Sequence, residues 1–231
     1  MISISAKRLQ RGFIYDRQML QNVVDLDAHA RIQAMRARDL HGDQVLDTLE
    51  NCSALTFWGF ATAFPSVNHT WLHLALRAAG VLKGLRRLVT ALYTSNAAFA
   101  RVDGSDNFLF WVTSGVLQGC PSLAPSSSCA LTLRLNKLEA DTFAGAQIRV
   151  CADDTGAAVV SIPTLAAFYH TCVAAKTNAG LDLTPPKCDI VPTSHAFSPD
   201  IIEKSRQWLL IYMPPWSGFK ISDSATYPVF S

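Results

Sequence analysis

The residues with the clearest capacity for chemistry are two adjacent carboxylates in the stretch Cys151-Ala152-Asp153-Asp154. A short apolar run, Ile148-Arg149-Val150, precedes them; Thr155-Gly156 completes a break, and a second run, Ala157-Ala158-Val159-Val160, follows. Neighbouring carboxylates repel and are costly to hold together unless a cation neutralises them. Magnesium binds through one or two carboxylates together with substrate phosphates. A strand, an Asp-Asp bend and a second strand therefore make a candidate metal site for phosphate chemistry. Asp-Asp-Thr-Gly is also good turn chemistry, so a solvated β-turn remains the alternative from these residues alone.

The elements that must position this bend follow from periodicity. Asp16 is suited to an N-cap, and Met19, Leu20, Val23, Val24, Ala28 and Ile32 recur at helical spacing, which predicts an amphipathic helix over 17–38. Ala54-Leu55-Thr56-Phe57-Trp58 reads as a buried strand, followed by an irregular turn through Phe60, Phe64 and Pro65. Helices are expected from His69 to Ala79, with Gly80 at C′, and from Leu82 to Tyr93. The Lys83, Arg86 and Arg87 group on the second reads as a solvated face. Phe99–Val102 and Phe108–Val112 flank Asp103-Gly104-Ser105-Asp106-Asn107, a hairpin signal. A glycine-punctuated loop, Ser114 to Pro121, leads to a helix over 126–141. Ser161 and Pro163 open a helix ending at Gly180, Lys187 to Val191 is a short strand, and Ser198-Pro199 opens a last helix to about Leu210. Helices interspersed with short strands, without a strict βαβ repeat, indicate an α+β fold.

Composition sets outer bounds. The 231 residues are 49% hydrophobic and 16% charged, so the chain can bury a sizeable core and is neither disordered nor a coiled coil. A net charge of +2 neither demands nor excludes a nucleic-acid partner. The six cysteines lack CxxC pairing, which argues against a zinc site or disulfide framework and for reduced thiols in an intracellular compartment, nuclear or cytoplasmic. No apolar stretch reaches the length of a membrane span, and no membrane partner is expected.

Several segments coincide, in order, with one family. The chain resembles the reverse-transcriptase domain of non-LTR retrotransposons. Gln10-Arg11-Gly12-Phe13-Ile14, with Arg17 and Asn22, is similar to the fingers segment ahead of the palm. Phe57-Trp58-Gly59-Phe60-Ala61-Thr62-Ala63-Phe64-Pro65 is similar to the first catalytic motif, and Gly115-Val116-Leu117-Gln118-Gly119-Cys120-Pro121 to the template-and-nucleotide loop. Cys151-Ala152-Asp153-Asp154 resembles the (Tyr/Phe)-Ala-Asp-Asp turn, and Gly180-Leu181-Asp182-Leu183 with Lys187-Cys188 the palm segment that follows.

The resemblance implies a right-hand polymerase fold with an antiparallel palm sheet backed by helices. It divides the chain into a partial fingers segment over 1–50, a palm over 51–193 and a palm end over 194–231, without a thumb. It implies template-directed nucleotidyl transfer, with an RNA template, a DNA primer and deoxynucleoside triphosphates as partners. Two magnesium ions would hold the attacking and leaving oxygens in line. Asp153 and Asp154 would be catalytic residues and metal ligands. Phe64 would exclude a ribose 2′-hydroxyl, with a core phenylalanine as the alternative. Gly115, Gln118 and Gly119 would touch the incoming nucleotide and template, with a turn needing glycine torsions as the alternative. Lys187 would approach the triphosphate; otherwise it is a surface lysine.

One departure governs the functional expectation. Where the family carries an acidic residue between Trp58 and Phe60, this chain has Gly59, which cannot ligate a metal. Losing a charged ligand of a two-metal site costs several kcal/mol of transition-state stabilisation, which is orders of magnitude in rate. Neither Glu50 nor Asp103 offers a local substitute. Ser122-Leu123 inverts the usual order after Gln-Gly-Cys-Pro, and Cys151 stands where an aromatic is usual. The expectation is a reverse-transcriptase-like domain, catalytically impaired. The alternatives are an active RNA-directed DNA polymerase and a non-catalytic nucleic-acid-binding remnant.

Overall fold

The computed structural model describes residues 20–41, 48–61, 63–116, 146–151 and 154–225. The expected helix 126–141, the segment 10–17, Gln118, Gly119, Asp153 and the stretch from Tyr227 lie outside them. The fold is mixed α+β around a five-stranded sheet in the order β4-β5-β1-β6-β7. In chain order the elements are α1 (Leu20–His41), β1 (Ala54–Trp58), α2 (Ala63–Ser66), α3 (His69–Ala78), α4 (Lys83–Tyr93), β2 (Ala97–Val102), β3 (Ser105–Trp111), β4 (Gln147–Cys151), β5 (Asp154–Val159), α5 (Ala166–Ala179), β6 (Asp189–Pro192), α6 (Pro199–Tyr212) and β7 (Lys220–Ile221).

β1 lies centrally and pairs antiparallel with β5 and with β6. β5 also pairs with β4 in a hairpin whose last pair is Cys151 opposite Asp154. The bend is thus only two residues long. Thr155 and Gly156, read from sequence as part of the break, belong to β5, because each has a partner on β1 and β4. The sheet is not wholly antiparallel either. β7 runs parallel to β6, since α6 carries the chain back before it re-enters the sheet. Sequence reading does not anticipate a strand there.

The two faces of the sheet follow from strand alternation. Ala54, Thr56 and Trp58 of β1, Ile148 and Val150 of β4, Ala157 and Val159 of β5, and Ile190 of β6 share one buried face. Trp58 is fully buried there. Its ring meets Phe168 of α5 edge-on at 5.3 Å and Trp216 at 6.2 Å, and Trp216 stacks on Phe219 at 5.0 Å. The C-terminal segment therefore closes the main core: Ile201, Leu209, Met213, Trp216, Phe219 and Ile221 all join it.

α1 covers the opposite face, in a rotation that the sequence did not indicate. Its buried residues are Asn22, Leu26, Ala30, Gln33 and Ala37, whereas Leu20, Val24, Ile32 and Met35 are exposed. The face it meets is partly polar. Asn22 Nδ2 donates to the Val150 carbonyl at 3.0 Å, and Arg149 pairs with Asp25 at 2.8 Å. A leucine-valine stripe would strand those groups without partners, at roughly 1–3 kcal/mol each. Gly156 lets the helix settle: a Cβ there would come within 2.7 Å of Leu26 Cδ1.

Elsewhere the boundaries follow the sequence closely, with local differences. Phe64 and Pro65 lie in the short α2 rather than an irregular turn. Asn68 caps α3 by accepting from the amides of Thr70 and Trp71. Asp103 and Gly104 alone turn the β2–β3 hairpin, both with positive φ (51° and 81°), so Ser105–Asn107 belong to β3. Ser161 leads into a 3₁₀ turn, Ile162–Leu165, before α5 begins. Among the described residues no helix is long and apolar enough to cross a membrane.

Candidate functional site

Gly59 immediately follows β1. The β1–β5 register pairs Phe57 with Gly156 and Trp58 with Thr155, so its next step places Gly59 opposite Asp154. The first-motif position and the second carboxylate of the Asp-Asp pair thus meet at one end of the sheet, on the α1 face. Asp154 is half-buried as the first residue of β5.

Lys187 joins them, but not as a strand residue. β1 pairs Phe57 with Asp189, whereas the bridge beyond joins Phe60 to Leu183. β6's side of this ladder carries a surplus of residues, which the 3₁₀ turn Pro185–Lys187 absorbs. The Thr184 amide donates to the Gly59 carbonyl at 2.9 Å, and the Cys188 thiol approaches the same oxygen at 3.7 Å. The turn folds tightly over Gly59: a Cβ at position 59 would lie 2.8 Å from Lys187 Cβ and 2.9 Å from the Lys187 carbonyl oxygen. Real Cβ atoms do not approach so closely. Position 59 thus does more than lack a carboxylate, because the space a side chain would enter is filled by the Lys187 backbone. Lys187 itself is exposed.

Asp189 is the acid on this face that sequence reading overlooked. It sits opposite Phe57 on β1 and Lys220 on β7. Burial raises its pKa above the ordinary carboxylate value, and Lys220 pulls it back in part. It does not replace an acid at 59: two strands over and two residues along from Asp154, it lies about 12 Å away by sheet geometry. Among the described residues no group of three or more His, Cys, Asp or Glu side chains is placed to hold a metal ion. A pair of magnesium ions needs carboxylates from two strands to bracket it, and β1 offers a buried glycine closed off by a neighbouring turn. The described donor set does not fit two ions.

Phe64 and Gly115 form a second meeting point. Val116 donates to the Phe64 carbonyl at 2.9 Å, and Gly115 to the Val67 carbonyl at 2.8 Å. Gly115 has φ +98°, and a Cβ on it would come within 3.1 Å of the Pro65 carbonyl oxygen, so backbone geometry alone requires glycine here. Phe64 packs against the main core. The structure thus ties the start of the glycine-punctuated loop to the segment after β1. Cys52, Cys172 and Cys188 are free and buried, and burial pushes the Cys52 thiol up to about 12.

No protein-family model matches the chain, and no curated protein matches it in sequence. Among solved structures it is similar to apo telomerase from Candida tropicalis truncated from its C-terminal domain, at 12% identity and a TM-score of 0.48. The similarity covers 77% of this chain and 42% of that one, so the chain spans less than half the length of that structure.

Proposed function

We propose that this chain is a reverse-transcriptase-like palm with part of its fingers, related to the RNA-directed DNA polymerases of non-LTR retrotransposons and impaired in catalysis. The observation that carries the reading is the register that sets Gly59 opposite Asp154. Two positions 95 residues apart in sequence become neighbours at one sheet end, which is the arrangement that transfer between two metal-bound oxygens requires. Asp154, with Asp153 beside it in sequence, would be the surviving carboxylate side of that site. Lys187 rises next to the lost one. Phe64 and Gly115, with Gln118 and Gly119 further along the loop, would line the path of nucleotide and template. The chain binds its nucleic acid through such a groove but does not assemble the two-magnesium centre.

The test is primer extension by the purified chain on a primed RNA template with magnesium. The expected result is extension no greater than that of an Asp153→Ala/Asp154→Ala double variant. Magnesium-dependent synthesis clearly above that control would overturn the impairment. RNA binding measured over a salt series probes the rest of the reading. Log affinity falling linearly with log salt supports a phosphate-contacting groove, and no measurable binding removes it.

A further inference from the structure

A cleft of about 430 Å³ opens at the foot of the β2–β3 hairpin, against the N-terminal turn of α3. It shares no residue with the Asp154 end of the sheet. His69 and His73 line it together with Tyr93, Ser95, Trp111 and Thr113. The two histidines are one helical turn apart, the spacing that brings side chains to one face. No Lys, Arg, Asp or Glu is among the lining residues.

His69 is held in a defined state. Its Nε2 is 2.8 Å from the Gly115 carbonyl oxygen, an acceptor only, so Nε2 carries the proton and Nδ1 the lone pair. Its ring lies 4.6 Å from that of Tyr93. Donation of one ring N–H to a backbone carbonyl is the outer-sphere support that metal-binding imidazoles use to fix tautomer and orientation. His73 is half-buried and makes no hydrogen bond among the described residues. It lines the same cleft one helical turn beyond His69.

The geometry points to a divalent transition-metal site formed by His69 Nδ1 and the His73 imidazole, completed by water. Two imidazole ligands without a carboxylate suit zinc, nickel or copper and not magnesium or calcium. With two protein ligands the site is open and exchangeable, unlike a closed structural zinc centre. Because His69 also holds the Gly115 carbonyl, the ion would sit one residue's reach from the start of the glycine-punctuated loop. This assignment stands apart from the polymerase-like reading and does not depend on it.

Nickel titration of the purified chain by calorimetry, with excess magnesium present throughout, tests it. Nickel avoids the preference of zinc and copper for the thiols. The expected result is a saturable site whose binding is lost in His73→Ala and unchanged in His170→Ala, an exposed histidine on α5. Imidazole ¹⁵N spectra should show His69 protonated at Nε2 and both His69 and His73 shifted by nickel. His73 is only half-buried, so His73→Ala keeps its fold, which its thermal unfolding verifies. His69→Gln, whose amide can still donate to the Gly115 carbonyl but which lacks the imidazole lone pair, is the second variant and should also lose the site. Absence of saturable binding in the parent chain, or binding undiminished in His73→Ala, would overturn the site.

Discussion

The two faces of the central sheet are made from alternate residues of the same strands, yet they are built on different principles. The face under α5 and the C-terminal segment is apolar and aromatic, organised around Trp58, Phe168 and Trp216. The face under α1 is mixed. It holds the Asp25–Arg149 pair, the Asn22–Val150 hydrogen bond, Asp154, Asp189 and two close-packed glycines, Gly59 and Gly156. The first stabilises by burial, which is roughly proportional to area and tolerant of geometry. The second stabilises by fitted contacts, where a group without its partner costs more than the contact contributed. The Lys187 turn, packed closely over Gly59, is such a fitted contact, as is Leu26 over Gly156.

The largest effect should come from the aromatic face. Trp58→Ala removes a fully buried ring and should cost about 3–5 kcal/mol in urea unfolding. The Trp58 indole N–H and the Thr56 hydroxyl are buried there without a hydrogen-bond partner among the described residues, so the packing already carries a penalty. A loss below about 1 kcal/mol would end the claim that this face anchors the fold.

On the α1 face, Gly59→Ala should destabilise by about 1–3 kcal/mol, because a single methyl overlaps the Lys187 backbone. Gly59→Asp, which supplies the acid that the proposed function would require there, should destabilise at least as much and give no primer extension above the parent chain. A stable and active Gly59→Asp variant would show that the turn yields easily. Asp25→Ala should cost about 2 kcal/mol, since it leaves the Arg149 guanidinium largely buried without its carboxylate. Unfolding at high salt should change that loss little, because buried pairs are weakly screened.

The smallest effect concerns pH. Asp189 has its pKa raised in the folded chain, so the native state holds that proton more tightly than the unfolded state. Its contribution to stability therefore falls as pH rises from its unfolded value, about 4, through the raised folded one. Asp189→Asn should be slightly stabilising at neutral pH and should lose that advantage towards pH 3. A variant less stable than the parent at pH 7 would mean that the attraction of Lys220 outweighs desolvation.

Much of the frame was legible in the chain. Trp58 ends β1, Gly80 and Gly180 adopt the positive φ expected of residues beyond a helix, and the strands before and after Asp153 do pair with each other. Those features are local, set by side-chain period, caps and glycine torsions within a few residues. The candidate site was legible only as separate motifs. That Gly59 would face Asp154, that Asp189 would lie on the same face yet too far away, and that Lys187 would sit in a turn all depend on strand order and register, which join residues distant in sequence.

α1 marks the boundary most clearly. By itself the sequence indicated a helix over 17–38, which the structure places at Leu20–His41, because helix formation needs only local hydrogen bonds and compatible side chains. Of its expected stripe, Met19, Leu20, Val23, Val24, Ala28 and Ile32, Val23 packs on the sheet side, whereas Leu20, Val24 and Ile32 are exposed. Which side turned inward was decided by the sheet, whose exposed Val150 carbonyl, Arg149 and open space above Gly156 asked for Asn22, Asp25 and Leu26. Periodicity ranks faces by hydrophobicity, but docking is settled by what the partner surface needs, and only the tertiary structure supplies that surface.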